Sequence, residues 1–386
     1  MRIYYFCYEG FKKIGKINNH IRETVSWFSK LGNEVHFFNP NIIQPEFDAP
    51  VKLHLIPIIN IPIIKWLSFD VFAFFSLLFN SIIRRPTVIY YRESSSLVPF
   101  FISKLLSVPL LIEVNGWVLT ELEEYGYSKF KLMLFRLFQE LNYRNATLLV
   151  PVSEGLKKLI IKHYRIPSNK IFAVNNGTNP EKYKPIPVDY ARKTTGLNKN
   201  DQIIGFIGGC YPHHGVQHLI NAAPGILSEL PQVKFVVAGD GAMLESWKAL
   251  AEKRRVDKNF FFPGNVPFEM APYYINSYDI CVAPWDENLF SKNAGSPMKL
   301  FDYMACGKPI VSSNIFGVKE ILDSNNAGIT VDVKNPKQFA RVLIDLLNSP
   351  EKCKTIGENA LKTVRSNYTW EQTSRKVINL IKLFDN

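Results

Sequence analysis

At 386 residues the chain is too long for one ordinary hydrophobic core and suits two domains of the commonest size. Apolar residues at 47%, charged residues at 21% and aromatics at 13% exclude a disordered or fibrous chain. Lysine and arginine outnumber acids by 46 to 34, a net charge of +12, yet no compact basic run or RNP-like motif speaks for nucleic acid, which leaves an anionic membrane or a phosphorylated substrate.

The excess is concentrated early: residues 1–190 carry 23 basic against 15 acidic side chains. Five scattered cysteines, with no CxxC pair and no ligand spacing, predict reduced thiols in a cytoplasmic protein and no metal. The opening MRIYYFCYEG lacks the apolar core and cleavage site of a signal peptide and reads as a first strand, with nothing to direct export.

In chain order, RIYYFCY predicts a strand, HIRETVSWFSKLG a helix and EVHFFNP a second strand. The apolar region from Leu53 to Ile83 is broken by Pro57, Pro62, Lys65, Asp70 and Asn80, so that VFAFFSLLFNSII is its longest helical stretch, short of the roughly 20 residues a membrane span needs. That region reads either as a core helix or as an amphipathic segment dipping into a membrane surface, with Lys65, Arg84 and Arg85 as anchors. TVIYYR, VPLLIEV and TLLVPVS continue the strands, the last followed by the helix EGLKKLIIKHY. Strand and helix in alternation mean parallel strands with crossover helices.

After the proline-rich YKPIPVDYARKTTG the pattern restarts, placing a domain boundary near residues 184–200. QIIGFIGG, VKFVVAG, NFFFPG, DICVAP and KPIVSS are the predicted strands of a second sheet, with helices over GVQHLINAAPGILSEL, MLESWKALAEKR and MAPYYINS. Ligands of open α/β sheets bind beyond the carboxyl ends of strands, so the loops after Gly208, Gly239 and Pro284 should share one rim with the GSP turn at Gly295. The tail carries an apolar stripe at Val377, Leu380, Ile381 and Phe384 that needs a groove.

The stretch GSPMKLFDYMACGKP holds the strongest chemical signal. Gly295, Ser296 and Pro297 lead into a helix through Met298, Lys299 and Leu300, and a helix N-terminus offers unpaired N–H groups and positive partial charge, a seat for a diphosphate. Lys299 adds a cation, and Asp302, on roughly the same face, can accept hydrogen bonds from vicinal ribose hydroxyls. A capped surface helix with both side chains in solvent fits these residues as well.

The ordered set FIGGCYPHHGVQHLINA, VVAGDG, FFPGNVP, DICVAP, SPMKLFDYMACGKPIVSS, GVKEIL and NYTW, preceded by GKINNHIRETVSWFSKLGNEV, VIYYRESS, PLLIEVNG, LLVPVSEGLKKLI and NKIFAVNNGTNPEKYKP, closely resembles family 4 glycosyltransferases over nearly the whole chain. The resemblance implies a GT-B fold: two Rossmann-like, doubly wound α/β domains facing across a cleft, with the last helix crossing back. It places an acceptor-binding domain at 1–190, joined by 371–386, and a nucleotide-sugar domain at 191–370. It further implies a retaining enzyme that moves a sugar from a UDP- or GDP-sugar to a glycan or lipid-linked acceptor without a metal or other cofactor. The setting it implies is cytoplasmic, at the inner face of the cell membrane.

Carried over by position, Asp302 matches the second acid of the family's paired-glutamate motif, and the first falls on Ala294, leaving Asn293 or Ser296 to hold the sugar. In GGCYPHHG the usual arginine and lysine positions are Gly209 and His214; His-Gly with Ser-Pro-x-Lys resembles a branch acting on cell-surface polysaccharides, in which Lys299 and His214 take the diphosphate beside Gly208. Asn115 stands where many members carry a histidine near the sugar, with Glu113 two residues before it on the strand; Glu113 reads equally as an inward charge paired to Arg92. Gly15 permits close backbone approach to the diphosphate, and Glu320 falls on an acid that contacts the donor or only complements its helix dipole. Asp240 reads as a turn residue. Two other classes remain open: a non-catalytic GT-B binding protein, motivated by Ala294 and Gly209, and a sugar-nucleotide epimerase, which needs more acids and histidines near the sugar.

Overall fold

The computed structural model describes residues 1–8, 19–42, 45–61, 64–124, 126–287 and 296–384. Contacts divide the chain into two compact units, the first running to Asn176 and taking in the chain from Trp370, the second running on from Gly177 and including Pro297–Thr369.

The first unit is built on six parallel strands, β1 (Arg2–Phe6), β2 (Glu34–Pro40), β3 (Lys52–Ile56), β4 (Val88–Arg92), β5 (Leu110–Val114) and β6 (Leu148–Pro151), in the order β3-β2-β1-β4-β5-β6. β1, β4 and β5 are aromatic and branched-aliphatic runs buried on both faces, which a parallel sheet covered by helices requires. One face packs against the helices Ile64–Ile83 and Val98–Leu106 through Phe69, Ala73, Leu77 and Ile102. The other packs against the helix Asn19–Lys30 through Ile21, Val25 and Phe28. The last helix, Trp370–Lys382, lays Val377, Ile378 and Ile381 into that same cluster, so the apolar tail has its groove within this unit.

The second unit repeats the plan with β7 (Ile203–Ile207), β8 (Lys234–Ala238), β9 (Phe260–Gly264), β10 (Ile280–Ala283), β11 (Ile310–Ser313) and β12 (Ile329–Val331), ordered β12-β11-β10-β7-β8-β9 and all parallel. Strand order reverses between β1 and β4 in one unit and between β7 and β10 in the other, and ligands of open sheets bind at such reversals.

Three features differ from the sequence reading. β3, a half-exposed strand at the edge of its sheet, hides in KLHLI within the region read as helical or membrane-facing. The apolar helix is longer than its uncharged core: it starts at Ile64 and continues through Asp70 and Asn80 to Ile83, which gives it the 20 residues it was expected to lack. The chain also changes unit at Asn176/Gly177, upstream of the proline-rich segment. Thr178 donates its N–H to Tyr368 O, and the Asn276 amide bonds Lys184 O and Ile186 N–H, fastening that stretch to the second unit.

Because Ile381 is buried in the first unit's core, Ile381→Ala should lower stability by about 2–5 kcal/mol, read as a shifted urea midpoint.

Candidate functional site

In the second unit β7 ends in Gly208, at the reversal of strand order. Gly208 has φ 144° and would place a Cβ 2.9 Å from Lys299 Nζ, so only glycine leaves the lysine its position. Lys299 enters from the first turn of the helix Met298–Ala305. Its amine is sealed from solvent with no hydrogen-bond partner among the described residues, resting 4.1 Å from the centre of the Phe206 ring. Burial pushes its pKa down to about 7, since a desolvated ammonium without a partner favours the neutral form.

The turn after Gly208 folds over this amine. His214 Nδ1 bonds the Gly209 carbonyl, which makes Nδ1 the protonated nitrogen and Nε2 the acceptor of a neutral ring. Burial first and the charge of Lys299 second hold its pKa far below the usual imidazole value. His213 is half-buried, its ring parallel to that of Tyr211, and its pKa is lowered to about 4 by burial and then by Lys299. Gly215 closes the turn at φ 66°, where a Cβ would meet Pro284 O at 1.8 Å, so the ends of β7 and β10 are held together.

Along the helix, Pro297 supplies no side-chain cap and Met298 is half-buried. Leu300, expected at the donor, has its side chain wholly in the hydrophobic core and presents nothing but backbone. Asp302 Oδ1 accepts the hydroxyl of Thr178 at 2.6 Å, a bond that fixes the rotamer of the acid expected to hold a ribose. Ser296 Oγ accepts the Asn176 N–H at 3.3 Å. Glu320 accepts the Gly317 N–H at 2.5 Å, which is helix capping. Gly15, Asn293, Ala294 and Gly295 lie outside the described residues. A pocket of about 380 Å³ opens beyond β10, β11 and β12, with Trp285, Ser313, Asn314, Asp332 and Lys334 in its wall.

In the first unit Arg92 and Glu113 are register partners at the ends of β4 and β5. Glu113 is 2% exposed and enclosed by donors: Oε1 accepts from Arg92 at 2.6 Å, Asn115 at 2.6 Å and His20 at 3.0 Å, and Oε2 from Tyr90 at 2.9 Å. Burial alone would raise its pKa, but His20 and Arg92 hold it well below the carboxylate range. Of the two readings of Glu113, this geometry matches the inward charge paired to Arg92: a carboxylate with so many donors holds its neighbours in place. Asn115, by contrast, keeps its amide oxygen buried and without a hydrogen-bond partner among the described residues.

Sequence reasoning missed His20, which reaches Glu113 from the helix Asn19–Lys30 with its ring 4.9 Å from Trp370. It missed Glu93 as well, which accepts from Gln139 and Tyr143, both at 2.5 Å. Both lie in stretches that carry the resemblance, His20 in GKINNHIRETVSWFSKLGNEV and Glu93 in VIYYRESS, but nothing local gives either a role; Glu93 directly follows a predicted strand.

Residues 17–182 match the model described as Glycosyltransferase Family 4 and residues 188–363 that described as Glycosyl transferases group 1. The chain is 26% identical over 381 residues to an uncharacterized glycosyltransferase of Methanocaldococcus jannaschii, covering 94% of this chain and 93% of that one. It is 25% identical over 226 residues to the D-inositol 3-phosphate glycosyltransferase of Rhodococcus opacus, covering 56% of this chain and 48% of that one. Among solved structures, sucrose-phosphate synthase from Thermosynechococcus elongatus superposes with a TM-score of 0.75 at 15% identity, over 99% of this chain and 98% of that one. Anabaena HepE, in complex with UDP, superposes with a TM-score of 0.74 at 15% identity, over 99% and 100%. These likenesses establish the GT-B fold.

Two substitutions test the electrostatics. Lys299→Met should stabilise the free protein by about 1–3 kcal/mol, the cost of a buried donor without an acceptor. Its folded pKa of about 7 lies below the usual ~10.4, so the unfolded chain binds more protons between those values. Wild-type stability should therefore rise with pH across that window, and Lys299→Met should flatten the rise, read by urea titration at several pH values. Glu113→Ala, which strands Arg92 and His20, should cost about 3–5 kcal/mol by the same measurement.

Proposed function

We propose that this chain, whose halves match the two glycosyltransferase models and whose fold is GT-B, is a family 4 type glycosyltransferase that moves a sugar from a UDP- or GDP-sugar to a glycan or lipid-linked acceptor with retention of anomeric configuration and without a metal. The observation that carries this reading is the unpartnered Lys299 amine beside Gly208 and His214. A buried amine without an acceptor is suited to an anion that would protonate and pair it, and a diphosphate at a helix N-terminus supplies one.

On this reading the leaving diphosphate meets the Met298–Ala305 helix and Lys299, which do the work of a divalent cation by stabilising charge as the glycosidic bond breaks. His214, neutral in the free protein, offers Nε2 and takes up a proton when the phosphate charge arrives. Asp302, oriented by Thr178, accepts from the ribose. Asn115 cannot shuttle a proton, but its unpaired amide oxygen would accept a sugar hydroxyl. With Glu113 enclosed, the acceptor's proton goes to the departing phosphate oxygen, as in a front-face transfer. The setting proposed is cytoplasmic, at the membrane's inner face, and the product a cell-surface polysaccharide.

Calorimetric titration with UDP, GDP and their sugar conjugates tests the donor site; no binding by any of them overturns it. Because binding an anion restores the proton on Lys299, affinity should fall by up to roughly tenfold per pH unit above about 7. Lys299→Met should remove this slope and weaken binding roughly thirtyfold, as expected for a hydrogen bond to a charged group. A bound donor that is never hydrolysed or transferred would favour the non-catalytic reading that Gly209 suggests, and transfer that survives a chelator is the outcome expected of metal-free chemistry.

A further inference from the structure

The Ile64–Ile83 helix has its apolar surface on both sides. Phe69, Ala73, Leu77 and Ser81, each four residues on from the last, are buried against the sheet. Leu67, Val71, Phe75 and Phe79 follow the same spacing offset by two residues, about 200° around the axis, and face outward with Phe75 and Phe79 near 65% exposed. A soluble surface helix carries polar residues on that side.

The neighbouring helix Val98–Leu106 continues the surface with Phe101 and Leu105. Arg85 pins the two together by donating to Leu106 O at 2.8 Å and Ser107 O at 3.2 Å. The helix Lys129–Asn145, which shares this side's core through Tyr143, shows a further outward stripe at Phe130, Met133, Leu137 and Leu141. Lys65, Arg84 and Arg85 stand at the two ends of this helix, Arg84 also pairing with Glu34 at 3.3 Å, and the helix's one acid, Asp70, bonds Ser96 within the unit. Exposed Lys104, Lys129 and Lys131 extend the basic rim along the other two helices.

We infer that this face docks on an anionic lipid bilayer, with the Ile64–Ile83 helix lying in the plane of the headgroups. An apolar stripe rimmed by lysine and arginine, with no outward acid along its helix, is complementary to acyl chains beneath negative headgroups, whereas a second copy would oppose like charges. The helix is long and apolar enough to span a membrane, but its inner residues belong to the sheet's core. Tyr4 Oη also donates to Asn80 O at 2.9 Å and Arg84 O at 2.8 Å, holding its end to β1. It therefore lies on the membrane while the sheet stays folded.

Docking does not depend on the transfer chemistry, so it is tested separately, by co-sedimentation of the full chain with phosphatidylcholine vesicles and with vesicles that also contain phosphatidylglycerol. Binding should require the anionic lipid and weaken as salt is raised. The double variant Phe75→Asp, Phe79→Asp should lose vesicle binding by roughly tenfold or more, with its nucleotide thermal shift and melting midpoint unchanged. Should that variant misfold, Lys65→Glu with Lys104→Glu, at positions outside the core, should weaken the anionic preference instead. Vesicle binding that is absent from the wild type, or that survives these changes, overturns the proposal. So does a wild-type dimer in sedimentation that the phenylalanine changes split, which would make the face an interface between copies.

Discussion

The contact between Lys299 Nζ and the Gly208 turn is unfavourable by itself, and much of the second unit is arranged around it. An amine enclosed by Phe206, a glycine backbone and a neutral histidine has lost its water and gained no acceptor. The surroundings do not relieve this cost. Gly208 gives up its Cβ to admit the amine, and His214 spends its one N–H on the Gly209 carbonyl, leaving a lone pair. On the proposed reading such a wall reaches its lowest energy when an anion arrives, and the stability forgone in the free protein would reappear as affinity.

The two units treat buried charge in opposite ways. Glu113 is surrounded by more donors than a carboxylate needs, and removing any one would leave the others in place; this is a rigid knot that joins β4, β5 and the helix Asn19–Lys30. Lys299 has no acceptor and stays receptive. A saturated carboxylate makes a poor nucleophile or base, whereas an unpaired buried amine can still take up a proton and an anion together.

Much of this was legible in the sequence because parallel strands buried on both faces leave unbroken apolar runs, and RIYYF, VIYYR, LLIEV and IIGFI need no other explanation. β3 was not legible, since a short edge strand such as KLHLI is half-exposed and has the composition of a loop. The helix after it was read too short because Lys65, Asp70 and Asn80 looked like interruptions. Asp70 bonds Ser96 and Asn80 donates to Ser76 O one turn back, so neither breaks the helix. At the site, the Ser-Pro-x-Lys and His-Gly patterns named Lys299 and His214, but no local pattern announces that the Lys299 amine lacks a partner. The enclosure of Glu113 was hidden for a related reason: its partners arrive from β4 and a distant helix, and the fold alone brings them together.

The first sheet also shows why its two faces differ in character. The face under the helix Asn19–Lys30 is finished by the C-terminal helix, whose Val377, Ile378 and Ile381 complete that core. The opposite face has helices of its own, yet their outer sides remain apolar, as though one more layer were due. No further segment among the described residues covers them. A charge substitution at Phe75 or Phe79 would improve solubility without disturbing the core, because both side chains point away from Phe69, Ala73 and Leu77. Phenylalanine there and basic residues at the ends of the helix both fit the environment proposed for this face, apolar within and anionic at its border.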